Sequence, residues 1–323
     1  LITSEINYEG NRLEEQTKEL QQNLYDANVL QIQEDPIEKS APSKSTHLSK
    51  RLTVATTKKI PTDVSISEEN SDYSKAYIET SNKSFNTIQK LANQFGSRSN
   101  ENHYKLKRGT AIIEDESLLY QYILSYGNMH KHKLLDSFDT IDWSNELGDN
   151  SINCIDWGCG QALATIALHD FLIKKDINVN IKKIILIEPS LYALRRGLLH
   201  SNYLKLTDRA IPVHKTIESI HAEDFYVSPG NITVHLFSNI LDVPRFDINN
   251  LCNKIEENLD SNDWKIIFIC ISPSIDAQRN QRIESFYKWW KDRYDTKLIS
   301  SRKGTVIESK DWTRMERIFS VQG

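Results

Sequence analysis

Five short apolar runs alternate with helix-length amphipathic stretches over the second half of this chain, and that alternation constrains the fold more than any other feature. The runs cover residues 152–155, 184–187, 210–213, 233–237 and 266–271 and are rich in Ile, Val and Phe. Runs this continuous, rather than alternating apolar with polar, belong to strands buried on both faces. The stretches between them, 162–175, 190–202, 215–222, 245–259 and 278–292, read as helices. Strand–helix alternation of this kind builds βαβ units, and hence an α/β fold with a parallel sheet covered on both sides. Two more runs, 296–300 and 316–321, read as closing strands.

The first half has a different texture. Residues 1–35 predict a polar helix with a thin stripe of Leu13, Leu20 and Leu24, either a surface helix or a segment that docks a protein partner. Residues 36–75 are linker-like, with Pro36, Pro42 and Pro61 and basic pairs at Lys50-Arg51 and Lys58-Lys59. A helical pattern returns over 72–94, marked by Tyr77, Ile78, Phe85, Ile88 and Leu91, and breaks at Gly96. Residues 114–136 read as two helices, or one interrupted near Gly127. The expected organisation is therefore an extension over 1–75, a helical cap over 76–149 and an α/β domain over 150–323.

Bulk properties exclude some functions. The 323 residues carry a formal charge of −4, so a globally basic surface is absent. No apolar run reaches membrane-spanning length and no secretory signal stands at the start, which points to a cytoplasmic protein without membrane contact. The first residue is Leu, so the sequence is either a processed chain or a piece of a longer one. Cys154, Cys159, Cys252 and Cys270 form no CxxC pair, and no metal site is expected; they read as reduced, mostly buried thiols.

The chemistry concentrates at the ends of the first two runs. The first run leads into Asp156-Trp157-Gly158-Cys159-Gly160-Gln161-Ala162. Two glycines there let a strand turn sharply into a helix and let a ligand approach the backbone. The second run ends in Glu188-Pro189-Ser190, which places a second carboxylate 28 residues beyond Gly160. A dinucleotide site is the rival. It needs a small residue three positions after the second glycine, where this chain has Leu163, and Asp156 would repel a pyrophosphate.

This stretch resembles motif I and the following acidic position of class I, Rossmann-type S-adenosylmethionine (SAM)-dependent methyltransferases, with Ala162 in the place of a third glycine. The resemblance covers residues 150–323. It implies a seven-stranded Rossmann-like sheet with the last strand inserted antiparallel, SAM as cofactor, and Asp156, Gly158, Cys159, Gly160, Glu188, Pro189 and Ser238 as its binding residues. Asp156 would contact the amino-acid end of SAM, directly or through water, and Glu188 the ribose hydroxyls. The cap is similar to that of bacterial methyltransferase-like proteins of unassigned role.

At the end of the fourth run stand Ser238, Asn239 and Asp242, on the sheet edge where ligands bind in open α/β folds. The Asn/Asp-Pro-Pro-aromatic signature of enzymes that methylate exocyclic amines of bases is missing. Asp242 reads equally as a site residue or a cap before Val243-Pro244. Ser272 and Ser274 follow the fifth run and suit the same edge or an ordinary loop. In the cap, Tyr122, Tyr126, His130 and Lys133 fall on one face of a continuous helix, as a substrate surface or as packing. His130 and Asn239 are the expected catalytic residues, His130 as a base, and Tyr126 and Asp242 the expected substrate contacts. The expected function is methyl transfer from SAM, with nucleic acid, RNA before DNA, as the first acceptor class. Basic spots at Lys105-Lys107-Arg108 and Arg195-Arg196 motivate that choice. The alternative is a SAM-binding or catalytically silent subunit acting as sensor or scaffold in a larger assembly.

Overall fold

In a computed structural model, residues 70–148, 151–204, 210–227, 232–259, 264–306 and 309–323 are described. The polar helix expected over 1–35, and most of the linker, lie outside the described residues.

Seven strands form one sheet: β1 (Ile152–Trp157), β2 (Ile181–Ile187), β3 (Ala210–Val213), β4 (Ile232–Ser238), β5 (Lys265–Ser272), β6 (Asp295–Val306) and β7 (Ser309–Gln322). Their spatial order is β3-β2-β1-β4-β5-β7-β6. The first five run parallel, and β7 pairs antiparallel with both β5 and β6. This is the strand order of class I methyltransferases. It reverses direction between β1 and β4, so the carboxyl ends of those strands open a crevice there.

Period-two alternation explains why the strands are apolar throughout. Ile152 and Cys154 of β1, Val234 and Leu236 of β4, and Ile267 and Ile269 of β5 enter one core. Ile155 and Trp157, Phe237, and Phe268 and Cys270 enter the other. The first core is closed by α7 (Leu163–Lys174), by α8 (Leu191–Asn202) and by helices from before β1. The second is closed by α9 (Ile248–Glu256) and α10 (Ala277–Lys291). Trp157 stacks on Phe237 at 5.4 Å between ring centres, and Phe286 of α10 packs edge-on against Phe237. Each such buried aromatic contributes about 1.5–3 kcal/mol by leaving water. All four cysteines are buried and free.

Before the sheet come α1 (Asp72–Glu79), α2 (Phe85–Phe95), α3 (Asn100–Lys105), α4 (Glu116–Tyr122), α5 (Asn128–Phe138) and α6 (Trp143–Leu147). The helical pattern expected over 72–94 forms two helices, because Ser84 caps a fresh start at Phe85. The stretch over 114–136 is uninterrupted. A π-helical turn, Ile123–Gly127, joins α4 to α5 with helical dihedrals on both sides. Gly127 does not break it, because its φ of −56° is already helical. The helix expected over 215–222 does not form. A turn and a short 3-10 segment, Ala222–Phe225, stand there instead. Lys215 reaches Asp224 at 2.6 Å, and Asp224 accepts from the His221 main chain, so side chains hold this loop without a helix.

Arg196 adds nothing to the basic spot expected at Arg195-Arg196. It is fully buried, pairs with Glu116 at 2.9 Å and lies 3.8 Å over the Tyr73 ring, locking α1 and α4 onto α8.

Candidate functional site

The chain leaves β1 through three left-handed positions: Gly158 (φ +58°), Gly160 (φ +53°) and Ala162 (φ +60°). Two are glycine, for which this costs nothing, and the third puts an ordinary side chain where strain is about 1–2 kcal/mol. The turn is held by Cys159 N donating to Ile187 O at 3.0 Å and Ala162 N donating to Cys159 O at 2.8 Å. A Cβ on Gly158 would stand 2.9 Å from Ile240 Cδ1, whereas one on Gly160 would meet nothing within 4 Å, because that position faces open space.

Behind and beside this turn lie the two carboxylates. Asp156 Oδ2 accepts from Thr165 Oγ1 at 2.7 Å and Thr165 N at 3.3 Å, tying strand β1 to the first turn of α7. Its Oδ1 is buried without a hydrogen-bond partner. Glu188 Oε2 accepts from Gly160 N and Oε1 from Ser190 N, both at 2.9 Å. Burial raises both carboxyls to about 7; the bonds from Thr165 to Asp156, and from Ser190 and Gly160 to Glu188, work against that rise.

Gly158, Gly160 and Glu188 border a cleft with about 1030 Å³ of unfilled space out to its mouth. Of the expected residues, Gly158, Gly160, Glu188, Pro189, Ser238 and Asn239 form its wall. Asp156 and Cys159 do not. Asp156 is 1% exposed and bonds Thr165 beneath the turn, and Cys159 packs into the first core. Ser272 is buried away from the cleft, and Ser274 binds Asn280 and Thr313.

Sequence reasoning missed two parts of the wall. One is the strap Gly109–Ile113, which closes over the cleft from the cap. It is anchored by Ser190 Oγ donating to Ile113 O at 2.6 Å and by a small apolar cluster of Leu106, Ile113, Leu118, Leu119 and Ala193. Its entry is marked by consecutive left-handed residues Lys107, Arg108 and Gly109, of which only the glycine was a visible signal. The other is Lys215–Glu218 after β3. The carboxyl end of a parallel strand was signal enough, but a helical reading of those residues obscured it.

At the far end of the cleft the cap helix meets the end of β4. The face expected to gather Tyr122, Tyr126, His130 and Lys133 does so. Ring centres lie 5.4 Å apart for Tyr122–Tyr126, 5.6 Å for Tyr122–His130 and 6.2 Å for Tyr126–His130. Tyr122 lines the cleft; Tyr126 and His130 stand behind it, with Tyr126 against Gly109. Asn239, itself left-handed at φ +59°, binds Ser238 Oγ at 3.0 Å, His130 Nε2 at 3.4 Å and Lys133 Nζ at 3.3 Å. Burial pulls His130 down to about 3, which favours the neutral imidazole. Asp242 is no helix cap: Asp247 caps α9, and Asp242 Oδ1 is buried without a partner.

Among the described residues no cluster of His, Cys, Asp and Glu suits a metal ion, and no helix is long and apolar enough to cross a membrane.

No family model matches the chain, and no curated protein matches it in sequence. Among solved structures it is similar to the plantazolicin methyltransferase BpumL in complex with a monoazolic desmethylPZN analog and SAH, with a TM-score of 0.40 and 11% identity over 74% of this chain and 99% of that one. It is similar to a SAM-dependent O-methyltransferase from Thermotoga maritima, with a TM-score of 0.35 and 14% identity over 58% of this chain and 64% of that one. A SAM-dependent methyltransferase from Leishmania major gives a TM-score of 0.37 and 11% identity over 69% and 95% of the two chains.

Proposed function

We propose that this chain is a SAM-dependent methyltransferase whose cofactor lies along the Gly158–Gly160 turn with its ribose at Glu188. One observation carries the reading: the Glu188 carboxylate and the glycine turn border the same open cleft as Ser238 and Asn239. The residues suit the group. Each Glu188 oxygen accepts one main-chain N–H, and a carboxylate has about four lone-pair sites, which leaves room for two ribose hydroxyls. Gly160 leaves open the space that a side chain would occupy. Bound SAM supplies a methyl group already activated on a sulfonium.

The protein's part is then orientation and exclusion of water. Asp156 stiffens the turn through Thr165. The strap Gly109–Ile113 covers the cleft from the cap side. Asn239 and Ser238 hold the acceptor, and Tyr122 packs against it. His130 serves as a neutral hydrogen-bond acceptor that helps to aim Asn239.

For the acceptor we favour nucleic acid, RNA before DNA. The support is a series of rings from His103 through Tyr126 to the cleft-lining Tyr122, with exposed Lys105, Lys107 and Arg108 beside it.

The test pairs binding with transfer. Gly158→Arg and Glu188→Ala each weaken SAM binding in calorimetry by about a hundredfold or more, the scale of two lost hydrogen bonds to a charged group. Unchanged affinity in both variants rejects the site. Incubating the purified chain with methyl-labelled SAM and fractionated lysate places label in RNA, and label confined to protein or small molecules rejects the acceptor class.

A further inference from the structure

Lys133 is only 1% exposed, yet it makes no ion pair among the described residues. A buried ammonium ordinarily lies against a carboxylate, because desolvating the charge alone is costly. Here its hydrogen-bond partner is a neutral atom, Asn239 Oδ1, at 3.3 Å. Asp242, in the turn after β4, attracts it through space, and Arg314 on β7 repels it. His130, one turn back on α5, is neutral. Lys133 is absent from the cleft wall, whereas Asn239 is part of it.

This arrangement fixes hydrogens that the heavy atoms alone leave ambiguous. An ammonium only donates, so the Asn239 atom facing it is the oxygen. The Asn239 nitrogen then faces Ser238 Oγ at 3.0 Å and His130 Nε2 at 3.4 Å. An amide nitrogen donates, so His130 Nε2 carries a lone pair and the imidazole proton sits on Nδ1. Both amide hydrogens are committed. What Asn239 has left for the cleft is the second lone pair of Oδ1.

We propose that Lys133 is a positioning residue that sets the hydrogen-bond polarity of the acceptor end: by holding Asn239 Oδ1 from behind, it makes the cleft present a lone pair, which takes an acceptor whose nucleophilic atom bears hydrogen, an amine N–H or a hydroxyl O–H. The naming of the ligand rests on the methyl-transfer reading; the hold on Asn239 is a property of the free protein. Without the ammonium the carboxamide is free to turn over, accept from Ser238 and His130, and show its NH₂ to the cleft. Burial, with Arg314 adding to it and Asp242 opposing it, brings Lys133 down to about 8. A neutral amine accepts as well as donates, so above that value Lys133 no longer forbids the turned amide.

His130 reports the state of Asn239, because a turned amide requires its proton on Nε2. Long-range proton–nitrogen NMR spectra of the free protein therefore test the proposal. The wild type shows the Nδ1–H tautomer at about pH 6.5, where the lysine is charged. At that pH Lys133→Met shows Nε2–H, and Lys133→Arg keeps Nδ1–H. A wild type with Nε2–H, or a folded Lys133→Met with the wild-type tautomer, overturns the proposal. Should Lys133→Met fail to fold, the wild-type tautomer decides alone.

Two controls separate this from the cofactor reading. Lys133→Met retains SAM affinity within about twofold, since it touches no part of the turn. Glu188→Ala loses SAM without altering the His130 tautomer. Labelled product from the lysate, digested and separated, carries methyl on a nitrogen or oxygen that bore hydrogen, and methyl on carbon, phosphate or carboxylate overturns the assigned polarity. No label anywhere, with the NMR as expected, sinks the methyl-transfer reading and leaves the hold on Asn239 intact.

Discussion

The two ends of the cleft are built from different materials. The glycine-turn end is made by main chain within one sequence-local stretch: β1, its turn, the start of α7 and the end of β2. Its shape comes from dihedral angles and from side chains that are missing. The other end is made by side chains that meet across the fold. Tyr122 to Lys133 come from the cap helix, Ser238 to Asp242 from the end of β4, and the charge of Arg314 from β7. Its properties come from which atom donates and which accepts. One end is therefore broken by volume, the other by a change of hydrogen-bond polarity.

Volume should produce the largest effect, at Gly197 of α8. A Cβ there would stand 3.1 Å from Gly160 O, 3.2 Å from Ala162 N and 3.2 Å from Gln161 C, all main-chain atoms that cannot swing aside. Replacing a helical glycine ordinarily helps the helix by less than about 1 kcal/mol. Overpacking against fixed backbone costs about 1–3 kcal/mol, so the clash wins. Gly197→Val is expected to lower unfolding free energy in urea by that amount and to weaken SAM binding at least tenfold. The acceptor end stays intact, read as an unchanged His130 tautomer. A stable variant with full SAM affinity would show that the turn yields more easily than its hydrogen bonds imply.

Protons sharpen the comparison next. Asp156 and Glu188, held near 7 by burial, sit well above the usual carboxylate values of about 4. The folded state therefore binds their protons more tightly than the unfolded chain. The stability this gives is fully present below about pH 4 and is lost as pH rises through about 7. A ligand that donates ribose hydroxyls to Glu188 and brings a sulfonium nearby needs the ionised form, so binding follows the opposite trend. SAM affinity is expected to fall up to tenfold per pH unit below 7, with one proton released on binding, since one unit is worth 1.36 kcal/mol. Meanwhile, the alkaline loss of thermal stability in the free protein shrinks in Asp156→Asn. Calorimetry and thermal melts across pH 5.5–8.5, about 1.5 units on either side of the expected midpoint, check both. Affinity flat across that range removes Glu188 as the ionised ribose partner.

The same division explains what was legible in the sequence. The parallel strands were legible in runs such as 184–187 and 266–271, because a continuous apolar run has few other uses, whereas the antiparallel last strand was implied only by the resemblance to class I methyltransferases. The turn at Gly158 and Gly160 was legible because its dihedrals demand glycine. That Asp156 would face Thr165 and not the cleft was not legible, since strand alternation gives a side and says nothing of depth. Burial also decides His130: an imidazole on a polar helix face looks titratable until the fold covers it. Arg196 misled for the same reason, as one of two adjacent arginines enters a cage of Tyr73, Tyr120 and Glu116 that only tertiary packing assembles. The 215–222 loop had helical composition, but a turn forms there and the His221–Asp224 bonds start a 3-10 segment at Ala222 instead.

The smallest effect belongs to Tyr126, and it bears most directly on whether the two ends are independent. Its ring contacts His103, Tyr122 and His130 but is absent from the cleft wall. Removing an aromatic neighbour of this kind forfeits about 0.5–1.5 kcal/mol beyond simple burial. Tyr126→Leu keeps the apolar volume and loses the ring, so Tyr122 is less firmly seated at the acceptor end. The expected result is a KM for the methyl-accepting substrate raised about three- to tenfold, the kinetic equivalent of that energy, with kcat little changed. SAM affinity should stay within about twofold, because no bond of the glycine turn passes through this ring. Tyr126→Phe, which keeps the ring and drops only the hydroxyl, should behave as wild type. If Tyr126→Leu weakened SAM as much as it weakened the acceptor, the strap at Gly109, which packs against this ring, would couple the two ends. The cleft would then be one device closed by the cap, and not two sites built on separate physics.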